Sequence, residues 1–256
     1  MSSVEMPALP LVATPRLPRT WYFWGSTAFG LLAHGAMLLA QMLTLVAVLI
    51  RYGGAEPSEA ALKVLAHQGG TIAAATVVAC PAMLAVLWIA IRMARRRFAS
   101  YLALRWPGRS DLLRALGLTF AFLLAWEALM YFSGQTTPAS MLDSYRTARH
   151  AGLLWLLLIA DCLVAPVTEE FAMRGFLFRG WSKSFLGPIG AILLTSAIWT
   201  LLHTQYSWFF LVQTFQVGLI FGYWRYRAGS TWLTVIMHGA WNTAAMVQIA
   251  LMVTDT

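Results

Sequence analysis

Five places in this sequence set ionisable or strongly hydrogen-bonding side chains inside otherwise apolar runs, where they cost kilocalories and mark a functional or paired structural site. The densest is Pro166-Val-Thr-Glu-Glu-Phe-Ala-Met-Arg174, with Glu169, Glu170 and Arg174. Trp199-Thr-Leu-Leu-His203 contributes His203, and His238-Gly-Ala-Trp-Asn242 contributes His238 and Asn242. Glu127 and His34 stand alone in two further runs. Glu170 and Arg174 are four residues apart with the carboxylate N-terminal, the favourable order for an ion pair on one helix face. His238 and Asn242 share the same spacing and so one face of another helix.

These groups are suited to hydrolysis. Arg174 can hold Glu170 ionised, which leaves Glu169 to take a proton from water and aim it at a carbonyl. His238 and the amide of Asn242 are donors for a developing oxyanion. His203 can position the water, share its proton or serve the leaving amine. No Ser or Cys is paired with these histidines, so water is the expected nucleophile. A metal is the rival account: His203, His238 and Glu169 would be a plausible zinc set with an open position. Against it, the chain has no HExxH, and Asn is an uncommon zinc ligand.

The elements that must position these residues follow from hydropathy. The chain has 256 residues, 59% hydrophobic and 11% charged, with a mean hydropathy of +0.67. Soluble domains are about 45–50% apolar and about 25% charged, so a water-soluble enzyme, a disordered chain and a fibre are excluded. Runs of roughly 20 apolar residues match a bilayer core of about 30 Å. The expectation is an all-α, polytopic integral membrane helical bundle of about 7–8 transmembrane helices. Spans are read at 24–50, 71–91, 112–132, 153–180 with a kink at Pro166, 188–206, 208–223 and 231–253. An eighth half-span could sit at 55–70 or 98–108. Residues 1–22, with Pro7, Pro10, Pro15 and Pro18, read as a disordered cytoplasmic tail, and 23–256 as one transmembrane bundle. The first run lacks a small-residue cleavage site and is expected to be an uncleaved span.

Net charge is +8. Basic residues of a membrane protein concentrate in cytoplasmic loops, so this balance points to topogenic charge, and no nucleic-acid partner is expected. With the N-terminus inside, 14 of the 18 Lys and Arg residues fall on the cytoplasmic side. That assigns a multi-pass protein of the cell (inner) membrane with its N-terminus cytoplasmic. Counted at about 1.5 Å per residue from the inner loops, Glu169 lies roughly 18 Å deep, His203 roughly 24 Å, His238 roughly 15 Å and Asn242 roughly 21 Å. Three helices thus bring their polar groups to one level, as a shared hydrated cavity requires. Cys80 and Cys162 stand alone, and Gly218-Leu-Ile-Phe-Gly222 reads as a helix-packing face.

In this order the three motifs resemble the CPBP family (CAAX protease and bacteriocin-processing, also called Abi) of intramembrane endopeptidases, marked by EExxxR, FxxxH and HxxxN on separate transmembrane helices. The Arg174–Arg179 run resembles the family's usual continuation, and the likeness covers about residues 150–250. One departure is Trp199, where the family has Phe. The resemblance implies Glu169 as catalytic base, His203 as its partner on the water, His238 and Asn242 as the oxyanion site, and Glu170 and Arg174 as support. It implies a membrane-embedded or lipidated protein or peptide substrate, whether a CAAX end, a processed peptide or a C-terminal sorting tail. The Arg-rich inner belt and the lack of a targeting segment look bacterial, which weighs against a prenylated substrate. The rival functions are a non-catalytic immunity or scaffold protein of the same fold, and a small proton-coupled transporter. The motif positions are all intact, which argues against the first, and no inverted repeat is visible for the second. The residues leave metal dependence and oligomeric state open.

Overall fold

The computed structural model describes residues 19–52 and 59–254. Among them are ten helices and no strand: α1 Tyr22–Tyr52, α2 Glu59–Ala66, α3 Gly69–Met93, α4 Phe98–Tyr101, α5 Arg109–Ser133, α6 Ala139–His150, α7 over 154–181, α8 Gly187–Leu201, α9 Trp208–Ala228 and α10 Thr231–Thr254. The chain is an all-α, multi-pass membrane protein. Four stretches, Tyr22–Arg51, Gly69–Met93, Arg109–Ser133 and Thr231–Val253, are long and apolar enough to cross a bilayer by themselves. The other three expected spans are helical as well. Each departs from a plain apolar span: α7 carries the charged cluster, α8 has 15 residues, and α9 carries Gln213, Gln216 and Arg225. Among the described residues, the two places weighed for an eighth half-span hold the eight-residue α2 and the four-residue α4.

Most of the expected tail, residues 1–18, lies outside the described residues. The chain just after it is tied to the end of α3: the Arg19 amide donates to Ala94 O at 3.1 Å and the Trp21 indole to Ala90 O at 2.9 Å. Leu31, Leu39 and Leu43 of α1 are exposed, which is the lipid-facing pattern of a peripheral span packed on α3.

The bundle is built around α7, which touches α1, α3, α8, α9 and α10. Two stretches of α7, Ala160–Val164 and Phe171–Leu177, are wound with the wider π pitch, a feature common at functional sites. Pro166 gives the first a physical cause. A proline lacks the N–H that would close the next turn, and its ring crowds the carbonyl four residues back. In the π pattern Ala165 donates to Ala160 O, so the following carbonyl, Asp161 O, loses its donor to Pro166. That carbonyl accepts from Asn242 Nδ2 of α10 at 2.7 Å. Gly239 allows the approach, since a Cβ there would meet Cys162 O at 2.8 Å. A glycine pair packs α9 on α8: a Cβ on Gly218 would meet Ser196 and one on Gly222 would meet Ile192.

Candidate active site

Glu169 and Glu170 are neighbours in sequence but about 100° apart around α7, and their surroundings differ accordingly. Glu170 faces the protein interior and is fully buried, as is Arg174. Glu170 Oε1 accepts from Arg174 Nη1 at 3.0 Å and from His238 Nδ1 at 3.1 Å. Arg174 also donates through Nη2 to Gly218 O at 3.2 Å, so the pair pins α7 to both α9 and α10. Glu169 faces a cavity of about 500 Å³, which it lines together with Trp199, His203, His238 and Asn242. The wall supplied by α7 is one helical stripe, Leu157, Asp161, Ala165 and Glu169. From α10 come His238, Trp241, Asn242 and Ala245, again one face.

Trp199 connects the groups. Its indole N–H donates to Glu169 Oε2 at 2.5 Å. The Arg174 guanidinium lies 4.8 Å over its ring, a cation–π contact. The rings of His203 and His238 meet it edge-on at 5.2 Å and 5.4 Å. His203 Nδ1 lies 2.8 Å from Trp199 O. A carbonyl oxygen only accepts, so Nδ1 carries the proton and Nε2 keeps its lone pair for the cavity. For His238, Glu170 holds Nδ1 and leaves Nε2 as the free ring nitrogen, the arrangement in which a carboxylate orients an imidazole. Asn242 gives one amide proton to Asp161 O and has a second available.

His203 is not inside the fifth span. Helix α8 ends at Leu201, and His203 sits in the turn over 202–207 that leads into α9. Its ring binds one of the last carbonyls of the helix, as a basic residue at a C-terminus does. The depth counted along a continuous helix therefore does not apply to it. Among the described residues, no three His, Cys, Asp or Glu side chains are grouped so as to hold a metal ion. His203, His238 and Glu169 are not gathered as a ligand set.

The other singled-out residues separate cleanly. Glu127 accepts from Gln248 Nε2 at 2.7 Å, a structural link between α5 and α10, and does not line the cavity. His34 is on α1, outside the cavity. Cys80 and Cys162 are free thiols. His67 lines the cavity alongside Ser140, Asp143 and Ser144 of α6. Among the lining residues not singled out in the sequence are Asp161, Gln213 and Tyr206. Asp161 had a signal, an acidic residue within a span eight positions before Glu169 and so on its face. Tyr206 had none, because its place depends on where α8 ends.

Comparison with known proteins fits this geometry. Residues 151–244 match the family described as type II CAAX prenyl endopeptidase Rce1-like. All three motifs fall within that stretch. The C-terminal part of the chain is similar to the Rce1-like family. Over 94 residues the chain is 31% identical to the UPF0177 protein YbdI of Lactococcus lactis subsp. lactis (strain IL1403), a match that covers 36% of this chain. The chain spans about half the length of that curated relative, 49%. No solved structure matches. The Rce1-like stretch begins just before α7 and ends within α10, so it contains every cavity-lining helix except α3 and α6.

Proposed function

We propose that this protein is an intramembrane endopeptidase that hydrolyses a peptide bond with water activated by Glu169. The observation that carries the reading is the division of labour between the two glutamates. Glu170 is committed to Arg174 and His238 in the interior, whereas Glu169 is held by one indole N–H and faces the cavity. In this mechanism a water lies between Glu169 and the free Nε2 of His203. Glu169 takes a proton as the water oxygen bonds to the substrate carbonyl carbon. The oxyanion is received by the remaining N–H of Asn242 and by His238, which donates through Nε2 when protonated. The C–N bond breaks as the proton passes to the amine. A cavity of this volume is in the range that encloses a small organic ligand, here a few residues of an extended peptide.

The substrate in this reading is membrane-embedded or lipidated: a CAAX-type end, a processed peptide or a sorting tail. The similarity to type II CAAX prenyl endopeptidases supports the class. Purified protein in detergent, given membrane-tethered peptides with and without a strong chelator, tests it. Cleavage that survives the chelator is the expected result, and mass spectrometry of the products would locate the bond. Cleavage abolished by the chelator and restored by zinc would replace Glu169-activated water with a metal mechanism.

A further inference from the structure

A second cavity, of about 470 Å³, lies at the opposite end of α7, between α4, the turn after it and the turn joining α9 to α10. Arg105, Arg179 and Arg225 line it, and no carboxylate does. Arg225 is 6% exposed, so it is a buried cation, and a buried charge needs a counter-charge or a full set of hydrogen bonds. Each guanidinium has five N–H donors, and backbone carbonyls take only some of them. Arg105 donates to Gly229 O and Ala228 O, both at 2.8 Å. Arg179 donates from Nη1 to Ser100 O and Tyr101 O, both at 2.9 Å, while its Nε is buried with no partner. Arg225 Nε donates to Arg174 O at 2.8 Å. The carbonyls of Ala228, Gly229, Ser100 and Tyr101 belong to helix ends, whose partial negative charge the guanidiniums cap, and Arg174 O lies in the π-wound stretch of α7. These bonds fix the three planes around one space and leave three positive charges without an acidic partner lining it. Forks of guanidinium donors held this way match the oxygens of a phosphate.

We propose that this cleft binds a phosphate-bearing anion, with the headgroup of an anionic phospholipid as the favoured source. Its setting supports the lipid. Trp106 and Tyr226, next in sequence to Arg105 and Arg225, are 72% and 57% exposed, as aromatic side chains of a membrane interface are. The cleft is at the same end of the bundle as Arg92, Arg95, Arg96 and Arg97, where anionic lipid would collect.

The test is a thermal unfolding titration of the purified full chain in neutral detergent. The probes are short-chain phosphatidylglycerol, short-chain phosphatidylcholine, and sodium phosphate at matched ionic strength. Phosphatidylglycerol is expected to raise the midpoint and phosphatidylcholine to leave it unchanged. The Arg105→Gln/Arg179→Gln variant should need about thirtyfold more phosphatidylglycerol for half the effect, the factor for two lost basic side chains at about 1 kcal/mol each. Arg146→Gln/Arg149→Gln, at the other end of the bundle, should respond as wild type. Ala99→Trp fills the cleft without removing a charge and should weaken the response too, which covers the case of a misfolded arginine variant. An equal response to inorganic phosphate would confirm the site and assign it to a soluble phosphate. Equal responses to the two lipids in wild type, or an undiminished response in both cleft variants, would overturn the proposal.

Discussion

Trp199 is the residue on which the candidate site turns, because one side chain holds the carboxylate, stacks on the buried cation and separates the two histidines. Phenylalanine would keep the stacking and lose the N–H. A hydrogen bond to a charged group contributes about 1.5–3 kcal/mol. Trp199→Phe is therefore expected to lower kcat by roughly ten- to a hundredfold with little change in KM, read from cleavage kinetics, while the unfolding midpoint stays near wild type. Arg174→Met belongs to the opposite category. It strands Glu170 as a buried carboxylate, and breaking one side of a buried pair costs about 3–5 kcal/mol. The expected outcome is a large fall in folded yield on size-exclusion chromatography; a normally folded, stable variant would contradict the structural role given to the pair. At this scale the sequence was informative. Charge in an apolar run found Glu169, Glu170 and Arg174, and the spacing of His238 and Asn242 placed both on the cavity face. The notion that Trp199 merely replaces a phenylalanine missed its indole N–H, since spacing shows where a ring lies and not what its edge meets.

At the scale of elements, α7 is shaped by Pro166, and its partner in that is Asn242. The proline removes the donor for Asp161 O, and the Asn242 amide supplies one from α10. Asn242 is thus asked both to join two helices and to present its second N–H to the cavity. Asn242→Leu leaves a buried carbonyl unsatisfied, a cost of about 1–3 kcal/mol, and should lower the unfolding midpoint as well as abolish cleavage. Adding Pro166→Ala restores the backbone donor. That double variant should recover stability but not activity, and recovery of neither would contradict the pairing of Pro166 with Asn242. Gly218 and Gly222 bring α9 against Ser196 and Ile192 of α8, the helix that carries Trp199. Gly218→Leu should force the two apart and reduce both folded yield and turnover. Hydropathy located a helix at each of the seven expected spans, four of them long and apolar enough to cross a bilayer, and the small-residue pattern located this contact. The π turns and the end of α8 were not legible, because hydropathy and spacing show neither the pitch of a helix nor the residue at which its backbone ladder stops; Pro166 marked the first π turn only as a kink.

At the scale of the molecule, the two cavities lie toward opposite ends. The cleft with three arginines sits by the basic belt, and the larger cavity is lined in part by α6, which carries Arg146 and Arg149. With the belt in the cytoplasm, as the distribution of Lys and Arg proposes, the cavity that Glu169 faces would open toward the outer face. The orientation can be read directly from a variant whose two native cysteines are replaced. Ser140→Cys, at the cavity mouth on α6, should react with a membrane-impermeant maleimide in intact cells, and Lys183→Cys only after lysis. The reverse pattern would invert the topology and put substrate selection on the cytoplasmic side. Charge alone carries the proposed orientation, because basic residues in the loops set it. The shape of the cavity was not legible in the sequence, since α6 and His67 reach it only through the packing of α3 and α10.

The most direct measurement of the central claim is the cleavage rate of one membrane-tethered peptide substrate by wild type and by Glu169→Gln, at matched folded fraction. The amide keeps the size of the side chain and can still accept from the Trp199 indole, but it cannot take a proton from water. The account expects the rate to fall by at least about a thousandfold, in line with losing the general base together with its charge in the transition state, while unfolding midpoint and elution volume stay unchanged. A folded Glu169→Gln protein that cleaves at the wild-type rate would contradict it.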